Sequence, residues 1–204
     1  HLLPAANAGT DVSICMGDSA QLSASGGAAY LWNSSAGLSN PNIADPIATP
    51  ASSATYTVTV TDGNGCSAQD QVNVTVNPAS AGGSVSGSTT VCSGFNSGTL
   101  TLSGHTGNIL YWTYSTDSGS AWINITNTTT TLNYSNNTST TLYCVVVQSG
   151  NCSSATSCAT ITVNPNPIAD AGSDVTMCNG SSKQLNASGG VTYSWMPSTG
   201  LSDP

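Results

Sequence analysis

The sequence predicts an all-β protein made of tandem sandwiches of short strands, and three observations carry that expectation. Thr, Val, Ser, Asn and Gly dominate the 204 residues, while Glu and Arg are missing and Lys183 is the sole Lys. That composition disfavours helices and suits short strands joined by tight turns. Segments such as Tyr56-Thr57-Val58-Thr59-Val60 alternate apolar and polar residues with period two, the pattern of a half-buried strand. The chain also repeats itself: residues 5–41 align without a gap with residues 168–204, at an offset of 163 and with 21 of 37 pairs identical, which is the mark of an array.

An apolar fraction of 38% is enough for packed cores. Charge is scarce. Only 5% of residues are charged, the nine acids are all Asp, and the net charge is −8. Neutralising phosphates or gripping an anionic membrane requires clustered Lys and Arg, so nucleic acid and lipid are not expected partners. No run of 18 apolar residues exists to span a bilayer, so direct membrane insertion is not expected either. Any targeting peptide is expected upstream of His1 or already removed.

Domain boundaries follow from Asn-Pro punctuation. Val76-Asn77-Pro78 closes one alternating strand, and Val163-Asn164-Pro165-Asn166-Pro167 closes another, since proline cannot continue a ladder. The expected units are a sandwich over 4–77, a second over 79–164, and over 167–204 the first half of a third that repeats 4–41. Short linkers stiffened by proline predict an extended array.

Within the first unit, TYTVTVT places Tyr56, Val58 and Val60 on one face, and QDQVNVTV places Val72, Val74 and Val76 on one face. The turn DGNG between them makes the pair a hairpin. DSAQLSAS and AAYLW supply two more strands, and Trp32 lies where an immunoglobulin-type sandwich buries an aromatic between its sheets. Trp112 and Trp195 occupy comparable places. The second unit repeats the plan with LYCVVVQ, a turn, and SCATITV.

Seven cysteines without a Cys-x-x-Cys pair point to disulfides and an oxidising compartment. Aligning the two terminal hairpins sets Cys144 and Cys158 opposite one another on the outward face, close enough to bond. The remaining cysteines are expected to form one long-range bridge per complete domain, Cys15 to Cys66 and Cys92 to Cys152. Cys178, the counterpart of Cys15, is expected to stay unpaired here, its partner lying roughly 50 residues further along the chain.

The run AGTDVSIC, the segment ASGG followed by Tyr and Trp, GLSNP, and TYTVTVTDGNGC together resemble the PKD-like and immunoglobulin-like repeats of giant surface proteins from Bacteroidota. The resemblance covers the first unit and the half unit, and the second unit looks like a sister repeat. It implies tandem immunoglobulin-like (PKD-like) β-sandwiches, export by the type IX secretion system to the cell surface, and use in long adhesins, gliding-motility adhesins among them, or in extracellular filaments. The sorting domain and signal peptide of that family are not part of this segment. Asp18-Ser19-Ala20 is similar to the O-glycosylation motif of the same bacteria, which makes Ser19 the candidate glycan site.

Signs of catalysis are weak. A nucleophile needs a neighbouring base, and the only histidines are His1 and His105, the latter in the turn GHTGN. Most Asp residues sit in turn contexts such as Asp62-Gly63, so the protein is not expected to be an enzyme or to need a cofactor. Calcium is the metal to consider, since carboxylate oxygens suit it and sandwich junctions often carry it. Asp11 and Asp62 are its candidate ligands, although DGNG lacks the alternating acids of a calcium loop.

Three functions compete. The first is a structural repeat of a long secreted surface adhesin or filament, whose partners are neighbouring repeats or subunits of the same protein. The second is an accessory carbohydrate-binding or spacer module of a secreted hydrolase, which would want a row of exposed aromatics for surface glycans to stack on; Trp112, Tyr114 and Trp122 are the only grouping, and core packing explains them better. The third is a fibre in which a neighbouring chain completes the half domain.

Overall fold

The computed structural model describes residues 2–33 and 37–202. Fourteen strands are described, and no helix occurs among those residues. The first sandwich contains β1 (Val12–Cys15), β2 (Ala20–Gln21), β3 (Ala29–Asn33), β4 (Ile47–Ala48), β5 (Ala54–Thr61) and β6 (Ser67–Asn77). One sheet has the order β1-β6-β5-β3 and the other pairs β2 with β4. The alternating side chains do what their period demands: Tyr56, Val58, Val60, Val72 and Val74 are buried, while the Thr and Gln between them face outward. Trp32 is 2% exposed and its indole N–H donates to the Ile43 carbonyl at 3.0 Å, so the one polar atom of a core aromatic is satisfied.

The second sandwich contains β7 (Ser84–Ser86), β8 (Thr89–Cys92), β9 (Ser97–Ser103), β10 (Asn108–Ser115), β11 (Ile123–Ile125), β12 (Thr131–Ser135), β13 (Thr141–Gln148) and β14 (Ala155–Asn164). Its sheets run β11-β10-β13-β14-β8 and β12-β9-β7. Trp112 is fully buried, and its indole N–H donates to the Thr129 carbonyl at 2.9 Å, repeating the Trp32 arrangement. Tyr143 packs within 5.9 Å of Tyr114 and 6.1 Å of Tyr134, ring centre to ring centre. Burial pushes its phenol pKa up.

The two sandwiches share one detail that positions everything below. In each, the first strand of the sheet runs parallel to the last. β1 pairs with β6 so that Cys15 lies opposite Asn77, and β8 pairs with β14 so that Cys92 lies opposite Asn164. The residue after each cysteine then donates its N–H to that asparagine carbonyl, Met16 to Asn77 at 2.8 Å and Ser93 to Asn164 at 2.9 Å. The two cysteines are therefore equivalent.

Residues 165–202 carry no strand, yet they copy the local geometry of the first unit. The bridge Asp170–Ser188 repeats Asn7–Ser25 at the 163-residue offset. The Gly172 N–H reaches the Asp170 carboxylate at 2.8 Å as the Gly9 N–H reaches the Asn7 side chain at 2.8 Å. The Tyr193 hydroxyl donates to Gly190 as the Tyr30 hydroxyl donates to Gly27. Burial is what differs: Leu185 is 40% exposed against 2% for its counterpart Leu22, because β5 and β6, the strands that complete the first core, have no counterpart in this segment.

Candidate functional site at the junction of the sandwiches

The bonding of the cysteines corrects the sequence expectation. Cys15 does not pair with Cys66, nor Cys92 with Cys152. Cys15 is bonded instead to Cys152, across the domain boundary, with Cα atoms 5.4 Å apart and a chain separation of 137. Cys66 and Cys92 are free thiols, as is Cys178.

The physical reason is the parallel pairing. Cys66 immediately precedes β6, whereas Cys15 lies opposite the last residue of that strand. Eleven extended residues span about 36 Å at roughly 3.3 Å each, several times the reach of a disulfide. The same holds for Cys92, opposite Asn164, and Cys152, in the turn before β14. Within one sandwich, the two cysteines sit at opposite ends.

The turn between β13 and β14 docks onto the end of the first sandwich. The Asn77 side chain donates to the Ser13 hydroxyl at 2.6 Å and to the Ile14 carbonyl at 3.2 Å, pinning the end of β1 beside Cys15. From the second sandwich, the Ser149 N–H donates to the Ser80 hydroxyl in the linker at 2.9 Å. Gly150, with φ of 51°, sits against the Asn77 carboxamide, where a Cβ would collide with it. The linker is tied back to its own sandwich by the reciprocal bridge between Ala81 and Thr106. Cys152 is buried at 4% exposure in this contact.

The second bond is the one that the hairpin register implies. Cys144 and Cys158 are direct partners across β13 and β14, bonded with Cα atoms 4.1 Å apart. Both project from the face opposite Tyr143 and Val145, but Cys144 is 2% exposed rather than open to solvent. β13 lies in the middle of its sheet, and Thr113 of β10 flanks Cys144 on the other side.

The other candidate residues fall apart from this junction. Asp11 accepts the Asn73 N–H at 2.8 Å and the Asn73 side chain at 3.3 and 3.2 Å, which holds its carboxyl below the usual carboxylate range. Asp62 accepts the Asn64 and Cys66 N–H groups at 2.8 and 2.9 Å inside the β5–β6 turn. The two proposed calcium ligands are not brought together: Asp11 is beside Asn73, midway along β6, and Asp62 is at that strand's start. No cluster of three His, Cys, Asp or Glu side chains suited to a metal occurs among the described residues. His105 is half-buried in the loop between β9 and β10. Ser19 is exposed in the turn after β1, four residues from the junction cysteine. The aromatic grouping is split by burial, with Trp112 in the core, Tyr114 packed against it and Trp122 43% exposed, so no flat row of rings forms.

The bond joins residue 15 to residue 152, so the shortest covalent path along the chain bypasses nearly the whole of both sandwiches.

Both complete units are immunoglobulin-like β-sandwiches. Residues 4–78 match the model of the family described as "Ig-like domain CHU_C associated", and residues 81–165 match that of "Domain of unknown function (DUF8696)". A sequence search of curated proteins finds no match. Among solved structures, the chain is similar to the I-band fragment I67-I69 from titin (TM-score 0.53, 13% identity, covering 82% of this chain and 68% of that one) and, with the same values, to an E-to-A variant of those three domains. A further match is Drosophila OTK, extracellular domains 3-5 (TM-score 0.49, 10% identity, 76% and 59% coverage). At these identities the titin likeness establishes the fold alone, and the third match carries no argument.

Proposed function

We propose that this chain is a structural repeat segment of a long secreted cell-surface adhesin or extracellular filament, in which stapled sandwiches give reach and resistance to tension. The observation that carries the reading is the Cys15–Cys152 bond. A bond within a domain stabilises that domain, but a bond between domains fixes their junction and reroutes force, which serves an array rather than an isolated module. The 163-residue repeat and the neutral polar faces favour the same role. The disulfides suit an oxidising, extracellular setting. The matched CHU_C-associated family and the resemblance to Bacteroidota repeats favour type IX export, with neighbouring repeats or subunits of the same protein as partners and Ser19 as a glycan site.

The alternative is an accessory carbohydrate-binding or spacer module of a secreted hydrolase. Its sugar platform would have to be built on Trp122, the one Trp of the second sandwich with an exposed ring. Immunogold electron microscopy of the native cells, with antibody to residues 4–164, separates the readings. Label spaced along surface fibres or tethers supports the adhesin reading. Label confined to a soluble enzyme in the medium, together with retention on a glycan or cellulose matrix, overturns it.

A further inference from the structure

The three free thiols and the one inter-domain bond follow a single geometric rule. Each sandwich has a strand-end cysteine opposite the final asparagine of its last strand, Cys15 in the first and Cys92 in the second. Each also has a turn cysteine just before that last strand, Cys66 and Cys152. The observed bond joins the strand-end cysteine of one sandwich to the turn cysteine of the next. The two left over are the turn cysteine of the first sandwich and the strand-end cysteine of the second. They lie at the two outer ends of the pair, each about one strand length from the junction, so they cannot meet each other.

We infer that Cys66 and Cys92 are the open halves of the same staple: Cys92 bonds the turn cysteine of a following immunoglobulin-like domain, and Cys66 the strand-end cysteine of a preceding one. This rests on the reading of the chain as an array segment. The geometry at Cys92 already matches the occupied junction. The Ser93 N–H donates to Asn164 as Met16 does to Asn77, and the Asn166 side chain of the next linker donates to the Ser93 carbonyl at 3.0 Å. Cys92 is exposed and Cys66 half-exposed, so both are open to a partner. The segment that follows the second sandwich copies the first, whose turn reads Asp62-Gly63-Asn64-Gly65-Cys66. The expected partner of Cys92 is therefore the counterpart of Cys66 in that copy, and Cys178, the counterpart of Cys15, would bond one domain further on. Each bond forms as two thiols give up two protons and two electrons to the disulfide of a thiol oxidoreductase in the exporting compartment, which is left as a dithiol.

Repeated along the chain, this wiring makes two interleaved covalent rails. One contains residues 66–92 and the other residues 152–178. Each rail segment is the last strand of one domain, its linker and the first strand of the next, and the body of every sandwich hangs outside the path of tension.

The test is disulfide mapping of the native secreted protein, alkylated before any reduction and digested with pepsin, because Lys183 is the only residue trypsin could cut after. The expected result is Cys92 and Cys66 each linked to a peptide from a flanking domain, with both absent from the alkylated pool. Alkylated Cys92 or Cys66 in the native protein, or a Cys92–Cys152 or Cys15–Cys66 peptide, overturns the inference. A Cys92→Ser variant of the full-length protein gives a second readout: one new thiol, reactive to maleimide, in a turn of the following domain, with Cys15–Cys152 intact. If surface fibres are seen but both thiols are alkylated, the ladder falls and the adhesin reading stands. If the flanking bonds are found in a soluble hydrolase, the ladder stands and the adhesin reading falls.

Discussion

Gly150 of the second sandwich rests against the side chain of Asn77, the last residue of the first sandwich's sheet, and the Cys15–Cys152 bond closes beside that contact. The left-handed φ of 51° and the space taken by the Asn77 carboxamide both reserve the position for glycine. Gly150→Val should loosen the junction at a cost of about 1–3 kcal/mol for a β-branched residue held in that region. It should also leave Cys15 and Cys152 partly reactive to maleimide in the folded protein. Complete bond formation and an unchanged melting temperature would show that the contact is incidental.

The hairpin bridge serves a different purpose. Cys144–Cys158 closes a loop with a chain separation of 14, for which the chain-entropy account gives roughly 3 kcal/mol. Replacing both by Ser should lower the unfolding free energy of the second sandwich, read from its urea transition, by about that amount while leaving the first unchanged. An equal loss in both would mean that the sandwiches unfold as one unit.

Trp112 is core and Trp122 is surface. Trp112→Ala should cost about 3–5 kcal/mol, the range for a large aromatic removed from a packed interior, whereas Trp122→Ala should fall within about 0.5 kcal/mol of the parent. If Trp122→Ala abolished retention on a glycan matrix, the carbohydrate-binding reading would gain the support it now lacks.

Acid sensitivity follows from Asp11 and Asp117. The Asn73 amide and side chain stabilise the ionised form of Asp11, and the Ala121 N–H and the Ser115 hydroxyl do so for Asp117, so both folded pKa values lie below the ordinary 3.8. A depressed folded pKa stabilises the native state fully above the unfolded value, and that stabilisation is lost as pH falls through the folded value. The denaturation midpoint should be flat at neutral pH and should drop below 3.8, less steeply in an Asp11→Asn, Asp117→Asn double variant. A chelator should leave the melting temperature unchanged, since Asp62 Oδ1 holds two turn amides and Asp11 lies apart at Asn73; a drop would restore calcium to consideration.

Much of this fold was legible from period and punctuation. The alternation through Tyr56, Val58 and Val60, the hairpins and the strand ends at Asn77 and Asn164 are local signals, and the strands follow them. Cys144 and Cys158 were legible because both lie on one hairpin, whose register a turn fixes. Cys15 was not. Its partner depends on the first strand running parallel to the last, a placement between residues some 60 positions apart that leaves no local trace. Once that pairing is known, strand length alone forbids a bond to Cys66.

Single-molecule stretching tests most directly the proposal that the junction bond takes both sandwiches out of the path of tension. The chain is held by handles before residue 15 and after residue 164. Without reductant, no step should release the loop closed by Cys15 and Cys152, and with reductant the unfolding steps should together release a further contour of roughly 450–490 Å, at about 3.3–3.6 Å per residue over the 137-residue separation. Release of two domain-sized lengths from the oxidised protein would contradict the claim.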